Sequence, residues 1–213
     1  MPSLSHSLSN KILYAFSTSF FNFIGHLLTP DWDKRLLGLR SLPIKTVIDI
    51  GANEGQFSQK LQHYFPQASF YAFEPLPLPY QKLSHWAKKS PQQILTFNLA
   101  LGEKEEVIEM NNHLYFHPSS SILPTTALCE AAFPMVKKQE KITIQQSTLD
   151  QQIVGLNHCL KADILLKLDV QGYEDRVIQG GQATFKQARA CIIEVSLDRL
   201  YENQAQFRDI FYA

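Results

Sequence analysis

The sequence predicts an α/β fold in which a mostly parallel sheet is flanked by helices. Short apolar runs, rich in β-branched and aromatic residues, alternate with segments of helical spacing. Such alternation is typical of parallel strands joined by right-handed crossovers. The chain has 213 residues, 45% of them hydrophobic, which suffices for the core of one large domain. We expect that domain at 41–213, after an N-terminal helical extension at 1–40.

The predicted elements follow one another from residue 46. Each strand is a short apolar run that ends at a turn residue, as Pro75 ends the second, and each helix has apolar residues three or four positions apart. Strands are predicted at 46–50, 69–75, 94–102, 162–170 and 188–196, and helices at 55–65, 80–89, 173–181 and 203–213.

The middle of the chain interrupts this alternation. Short strands predicted at 105–112, 113–118 and 141–149 have no helix between them, and they surround a Ser/Thr/Pro-rich loop at 118–134. On a rigid scaffold such a loop is either a substrate lid or passive surface.

An apolar segment at residues 11–28 lies near the N-terminus. Polar residues interrupt it too often for a membrane-spanning helix, and no signal-peptide cleavage site follows it. Its apolar residues recur at helical spacing. We expect a helix that packs on the domain or on a second subunit, and the alternative is weak contact with a membrane surface.

Charge and cysteine content narrow the partners and the compartment. Basic and acidic residues number 20 each, which predicts no nucleic-acid binding and favours a small-molecule or neutral-polymer substrate. The three cysteines lack metal-ligand or redox spacing. We therefore expect reduced thiols and a cytoplasmic protein.

A glycine-rich loop, Asp-x-Gly-x-Asn-x-Gly at 49–55, follows the first predicted strand and opens a helix. This is the context of a nucleotide-binding loop, although the spacing is not G-x-G-x-x-G. Asp49 would repel a pyrophosphate and would suit a cationic amino group, such as that of S-adenosylmethionine (SAM). Gly51 and Gly55 let the backbone approach closely, and the helix N-terminus can receive the methionine carboxylate.

Glu74 ends the second predicted strand, 19 residues after Gly55. An acidic residue at about this distance is placed to accept hydrogen bonds from both ribose hydroxyls. SAM and NAD share this ribose, so Asp49 and the glycine spacing are what favour SAM. The alternative is that Asp49 and Glu74 are ordinary turn residues. We expect Glu74 to face an open crevice and to be solvated without ligand.

A third polar group follows the strand predicted at 162–170. Lys167 and Asp169 lie near its end, and Gly172 opens the next helix. In open α/β sheets ligands bind beyond the carboxyl ends of the strands. We therefore expect Asp169 to point toward the same crevice as Asp49 and Glu74.

Together these motifs resemble those of FkbM-type SAM-dependent methyltransferases. The segments occur in that family's order: "VIDIGANEGQFS", "FYAFEPLP", "NLALGEKE", "SSSI", "STLD", "DILLKLDVQGYEDRVIQGG" and "IIEVS". The resemblance covers roughly residues 40–212 and implies a class I methyltransferase (Rossmann-like) fold with SAM as cofactor. It also implies O-methylation of a hydroxyl on a sugar, glycan or secondary metabolite.

The resemblance also implies site residues, carried over by motif. Asp169 matches the acid after the fourth strand of the family. The implied SAM-binding residues are the loop residues, the ribose acid and two residues near the adenine: Asp49, Gly51, Asn53, Gly55, Glu74, Asn98 and Ala100.

The sequence departs from the family pattern at two places. Gln171 stands where the family often has Glu, and Gln cannot serve as a carboxylate base or metal ligand. The chain stops inside the expected last helix, so we expect the final antiparallel strands of the seven-stranded sheet to be absent. The strand at 188–196 would then lie at a sheet edge, which favours a homodimer.

Methyl transfer to a hydroxyl needs a group that accepts its proton. Asp169 is one candidate base. His113 and His117, in the middle segment, are the others, because histidine side chains ordinarily titrate near neutral pH. Assistance by a divalent metal is an open alternative, but no cluster of three metal ligands stands out in the sequence, so we assign no metal-binding residues.

Two other functions compete with this interpretation. A degenerate methyltransferase fold would be a non-catalytic binding or scaffold module, and SAM titration would distinguish it. An NAD-dependent oxidoreductase would have to bind a pyrophosphate beside Asp49. The identity of the acceptor depends on the loop at 111–140, whose chemistry cannot be read from the sequence.

Overall fold

The computed structural model describes residues 37–156 and 160–212. From Ile44 onward the described residues form one compact unit, and only helix α1 (Leu37–Arg40) is described before it. The helix predicted at 11–28 lies outside the described residues, so its packing and its membrane contact stay predictions. None of the described helices is long and apolar enough to cross a membrane.

Eight strands form the sheets of this unit. They are β1 (Thr46–Ile50), β2 (Ser69–Phe73), β3 (Ile94–Phe97), β4 (Ala100–Leu101), β5 (Glu106–His113), β6 (Gln139–Ser147), β7 (Ile164–Leu168) and β8 (Ala188–Ile193).

The strands are arranged in two sheets. The larger has the order β3-β2-β1-β7-β8, and all of its strands are parallel. The smaller has the order β4-β6-β5, with β5 and β6 antiparallel. The α/β fold class with a mostly parallel sheet is thereby confirmed. Within the described residues β8 is an edge strand, and the homodimer stays a prediction.

Within the described residues, seven helices lie between the strands of this unit or follow its last strand. They are α2 (Gln56–Tyr64), α3 (Pro77–Lys89), α4 (Ala127–Ala132), α5 (Leu149–Gly155), α6 (Glu174–Gln179), α7 (Gln182–Gln187) and α8 (Phe207–Tyr212), with 3-10 turns at His117–Ser119 and Pro134–Lys137.

The core lies around the three central strands of the larger sheet. Every residue of β1, β2 and β7 is buried. Strands covered on both faces are near-continuous apolar runs, which is the pattern that made these strands readable from the sequence. The same burial encloses the two charged residues of these strands, Asp49 and Lys167.

Several predicted elements differ from the structure. The strand predicted at 94–102 divides at Asn98, because β3 joins the larger sheet and β4 the smaller. The strand predicted at 113–118 is wrong, since the chain turns after His113 into a 3-10 helix. Helices α4, α5 and α7 were not predicted, and the last helix begins at Phe207 instead of residue 203.

Candidate functional site

A cavity lies at the carboxyl ends of β1, β2 and β7. Two of its walls come from the loops that follow β1 and β2, and the third comes from the loop that follows β7. The middle segment adds residues such as Met110, Ser120 and Ile122. Six of the residues predicted from the sequence line this cavity: Gly51, Asn53, Glu74, Ala100, His117 and Asp169.

The glycine-rich loop turns sharply at the cavity wall. Gly51 has φ +72°, and a Cβ atom there would lie 1.9 Å from the carbonyl oxygen of Asp169. Only glycine therefore allows the ends of β1 and β7 to approach so closely. Gly55 has φ +88° and does not line the cavity; a Cβ atom there would lie 2.9 Å from the side chains of Leu83 and Trp86. Its requirement for glycine thus comes from packing on α3.

Glu74 directly follows β2, and its carboxylate lines the cavity. Its Oε2 accepts a hydrogen bond from the backbone N–H of Asn53 at 2.8 Å, and its Oε1 accepts one from the N–H of Leu76 at 2.8 Å. The residue is only 5% exposed, so the expectation of a solvated carboxylate is wrong. Burial raises the pKa of Glu74 to about 7, although the two backbone N–H donors act in the opposite direction.

Asp49 is fully buried and does not line the cavity. Its Oδ2 accepts a hydrogen bond from Ser58 Oγ at 2.6 Å, and its Oδ1 lies 3.0 Å from Lys167 Nζ in an ion pair. Lys167 also donates to the carbonyl oxygen of Gly51 at 2.7 Å. Burial disfavours the charge of Lys167, but the carboxylates of Asp49 and Asp169 outweigh it and raise the pKa of this amine. The Asp49–Lys167 ion pair therefore contacts the glycine-rich loop on its buried side, through the Gly51 carbonyl oxygen.

The two residues predicted near an adenine lie where β3 passes into β4. Ala100 lines the cavity and Asn98 does not. The Asn98 side chain donates to the carbonyl oxygens of Glu74 and Pro75, both at 2.9 Å. It therefore holds the turn that carries Glu74.

Asp169 follows β7 and is partly exposed at the cavity. Its Oδ1 accepts a hydrogen bond from Gln171 Nε2 at 2.7 Å. The same Nε2 donates to Glu194 Oε2 at 2.7 Å, so the amide bridges two carboxylates. Gln171 adopts φ +57°, and its Oε1 lies 3.0 Å from Tyr201 Oη. Gln171, which stands where the family often has Glu, is therefore an uncharged side chain that joins Asp169 to Glu194.

The two candidate histidines have different surroundings. His113 is fully buried, and its Nδ1 lies 2.7 Å from Ser119 Oγ. Burial lowers the pKa of His113, and the residue does not line the cavity. His117 lines the cavity, and its Nδ1 lies 3.0 Å from Asn112 Oδ1. The structure therefore brings His117, but not His113, to the cavity that Glu74 and Asp169 also line.

Several polar residues of this region were missed in the sequence. Glu194 directly follows an apolar strand, as Asp169 does, and that position was the available signal. Asn112 and Tyr201 do not follow a predicted strand end. Asn112 reaches the site through the pairing of β5 with β6, and Tyr201 through the loop after β8. Within the described ranges, no group of three or more His, Cys, Asp or Glu side chains is arranged to hold a metal ion.

Comparison with known proteins identifies the family. The model of the methyltransferase FkbM domain matches residues 49–212. A curated relative, the 2-O-methyltransferase NoeI of Sinorhizobium fredii (strain NBRC 101917 / NGR234), is 26% identical over an alignment of 195 residues that covers 83% of this chain and 74% of the relative. The matched range contains every lining residue discussed above. The chain therefore belongs to the methyltransferase FkbM domain family.

Proposed function

We propose that this protein transfers a methyl group from SAM to a hydroxyl of a sugar, a glycan or a related metabolite. The observation that carries the proposal is the carboxylate of Glu74, held by two backbone N–H groups at the wall of a cavity formed by the strand ends. Bound SAM would supply a methyl group activated by its sulfonium.

The residues at the cavity fit the ribose of such a cofactor. Each carboxylate oxygen can accept two hydrogen bonds, and each oxygen of Glu74 accepts one from the backbone. One acceptor site per oxygen therefore stays available for a vicinal diol. The close approach of the Gly51 loop to Asp169 leaves the backbone at the wall without side chains that would obstruct a ligand.

The charge of the cavity supports a cationic cofactor. Glu74 and Asp169 line it, and none of the described lining residues is Lys or Arg. Lys167 is close, but it lies behind the wall in its pair with Asp49. A pyrophosphate would have no cation to neutralise it there, so the cavity suits SAM better than NAD.

The other groups of the site have roles that follow from their positions. Asp49 acts through Lys167 to hold the loop, and Gly55 and Asn98 act through packing and the turn. Ala100, Leu101 and Met110 form an apolar wall suited to a flat base. Glu74 is assigned to the ribose, so Asp169 and His117 are the other ionisable residues of the described lining that can accept a proton from a hydroxyl acceptor.

The choice of a hydroxyl acceptor rests on the family and on the relative named a 2-O-methyltransferase. A hydroxyl is a poor nucleophile, so alignment and removal of its proton are what the protein must provide. The middle segment, which contributes Ser120 and Ile122 to the wall, is the part of the described chain where we place acceptor recognition.

The test combines SAM binding with methyl transfer. SAM is titrated calorimetrically into the protein, and transfer of labelled methyl from SAM is then measured with a panel of mono- and oligosaccharides. Glu109→Gln is the matched control, since Glu109 pairs with Lys141 on the exposed face of the smaller sheet. Binding and transfer by both the unchanged protein and this control would support the proposal. Absence of SAM binding by folded protein would refute it and favour a non-catalytic module.

A further inference from the structure

A chain of three side chains leads from the surface of the smaller sheet to the cavity. Glu140 on β6 stands opposite Asn112 on β5 in the strand register. Glu140 Oε1 accepts a hydrogen bond from Asn112 Nδ2 at 2.9 Å. Asn112 Oδ1 in turn lies 3.0 Å from Nδ1 of His117. Asn112 is buried on β5, so the strand holds its amide group between these two partners.

The direction of these hydrogen bonds follows from the chemistry of the groups. An ionised carboxylate only accepts, so the Asn112 amide must turn its NH₂ group toward Glu140. Its oxygen then faces His117. An amide oxygen also only accepts, so the proton in the second hydrogen bond belongs to Nδ1 of the histidine. In the neutral ring Nε2 is then the nitrogen with the free lone pair.

The neutral His117 ring can therefore accept a proton at the nitrogen opposite Asn112. Within the described part of the chain, Nε2 of His117 has no hydrogen-bond partner, and the residue lines the same cavity as Glu74 and Asp169. His113 does not line the cavity, because its ring is fully buried against Ser119.

We propose that Asn112 is a positioning residue that holds His117 in the Nδ1–H tautomer, so that Nε2 accepts the proton of the acceptor hydroxyl. The role in catalysis rests on the function proposed above; the tautomer does not. In the transfer, the hydroxyl proton passes to Nε2 as the hydroxyl oxygen bonds to the methyl carbon. The electron pair of the broken carbon–sulfur bond stays on the sulfur of the SAM-derived product.

Other titratable groups surround His117 on the neighbouring elements. Glu140 acts through Asn112, and Glu74 and Asp169 lie on the other walls of the cavity. His113 and Tyr201 contact Ser119 in the same 3-10 turn. Because His117 has several ionisable neighbours, a pH profile alone would not identify it, and the test needs a direct measurement of the ring.

The direct reading is the tautomer, measured by long-range ¹H–¹⁵N NMR of the folded protein at a pH where the ring is neutral. The chain has seven histidines, and the signals lost in His117→Gln identify the ring. We expect Nδ1–H in the unchanged protein. Asn112→Leu removes the acceptor, and we then expect the Nε2–H tautomer. In the double variant Asn112→Asp with Glu140→Gln, the new carboxylate at position 112 again offers an acceptor oxygen to His117. The new amide at position 140 then donates to that carboxylate, which reverses the hydrogen bond between β5 and β6, and we expect the Nδ1–H tautomer of His117 to return.

Methyl transfer gives the second reading. We expect His117→Gln to lower kcat by about 100-fold or more. Asn112→Leu should lower kcat by about tenfold, because a switch of tautomer must precede transfer, and the double variant should recover it. The SAM dissociation constant should change less than about twofold in each, since none of these residues is placed on the ribose side. His63→Gln, on the exposed surface of α2, is the matched control.

The outcomes separate the two proposals. An Nε2–H tautomer in the unchanged protein would overturn the role of Asn112, whatever the enzyme does. The Nδ1–H tautomer together with unchanged kcat in His117→Gln would overturn His117 as the base and would leave methyl transfer itself intact. Failure of SAM binding would refute the function proposed above, and the NMR result for Asn112 would still be decisive for the tautomer.

Discussion

Replacing Glu74 by Gln tests the cofactor site most directly. The carboxylate has two backbone donors, the N–H groups of Asn53 and Leu76, and one acceptor site left on each oxygen for a diol. Gln keeps one oxygen and puts an NH₂ group in place of the other. One ribose hydroxyl then loses its acceptor, and the remaining bond loses its charge.

The expected loss of affinity follows from the strength of charge-assisted hydrogen bonds. Such a bond contributes about 1.5–3 kcal/mol, so the SAM dissociation constant of Glu74→Gln should rise by about 10- to 150-fold. Isothermal titration measures it, with Glu109→Gln as the control for a surface carboxylate. Unchanged affinity would remove Glu74 from the site.

Stability should respond to the same substitution in a pH-dependent way. The pKa of Glu74 rises from 4.5 to about 7 on folding, which corresponds to about 3 kcal/mol. Since the native state binds this proton more tightly than the unfolded chain, the free energy of unfolding falls as pH rises from about 4.5 to 7. The Gln variant lacks this dependence, but its NH₂ group faces a backbone N–H and destabilises by about 1–3 kcal/mol.

Urea unfolding at two pH values separates these effects. At pH 5 the variant should be less stable than the unchanged protein by about 1–3 kcal/mol, and at pH 8 this difference should disappear or reverse. SAM binding should also favour the ionised carboxylate and release up to about one proton at pH 6, seen as a buffer-dependent enthalpy of binding. A constant stability difference and no proton release would contradict the burial argument.

The remaining predictions concern the loop and its supports. Gly51→Ala should abolish SAM binding and lower the free energy of unfolding by at least about 1–3 kcal/mol, because its Cβ would meet the Asp169 carbonyl oxygen; titration and urea unfolding check this. Lys167→Met should destabilise by about 3–5 kcal/mol, and adding Asp49→Asn should recover part of that loss in the same unfolding assay. Gln171→Glu should reduce the melting temperature more at pH 8 than at pH 5, since the new carboxylate would face the two that the Gln171 amide bridges.

The fold could be predicted from the sequence wherever local pattern and burial agree. β1, β2 and β7 are buried on both faces, so their apolar runs were unambiguous. The run at 94–102 shows the limit of that signal. It reads as one strand, yet the chain leaves the larger sheet after Phe97 and joins the smaller sheet at Ala100. Between them the Asn98 side chain donates to the turn after β2, a long-range contact that the local pattern does not contain.

The site shows the same division between local and non-local information. Glu74 and Asp169 could be placed because each directly follows a buried strand, and parallel strand ends share one edge of a sheet. The two histidines could not be separated, since both lie in the same short segment at 113–118, which the sequence predicts as one strand. What separates them is the antiparallel register of β5 and β6, which sets Asn112 opposite Glu140 and leaves His113 enclosed.

Asp49 has a structural role that its local sequence pattern did not predict. From the sequence we expect its charge in the crevice, where it would repel a pyrophosphate. In the structure Asp49 stands directly opposite Lys167 in the register of β1 and β7, and the two charges neutralise each other behind the wall. A signal for this was present: "TVIDI" and "ILLKL" each carry one charge, of opposite sign, at the fourth of their five positions. The pairing of β1 and β7 sets these two charges side by side inside the core, so under the proposed function Glu74 and Asp169 are the acids at the cavity that would disfavour an anion.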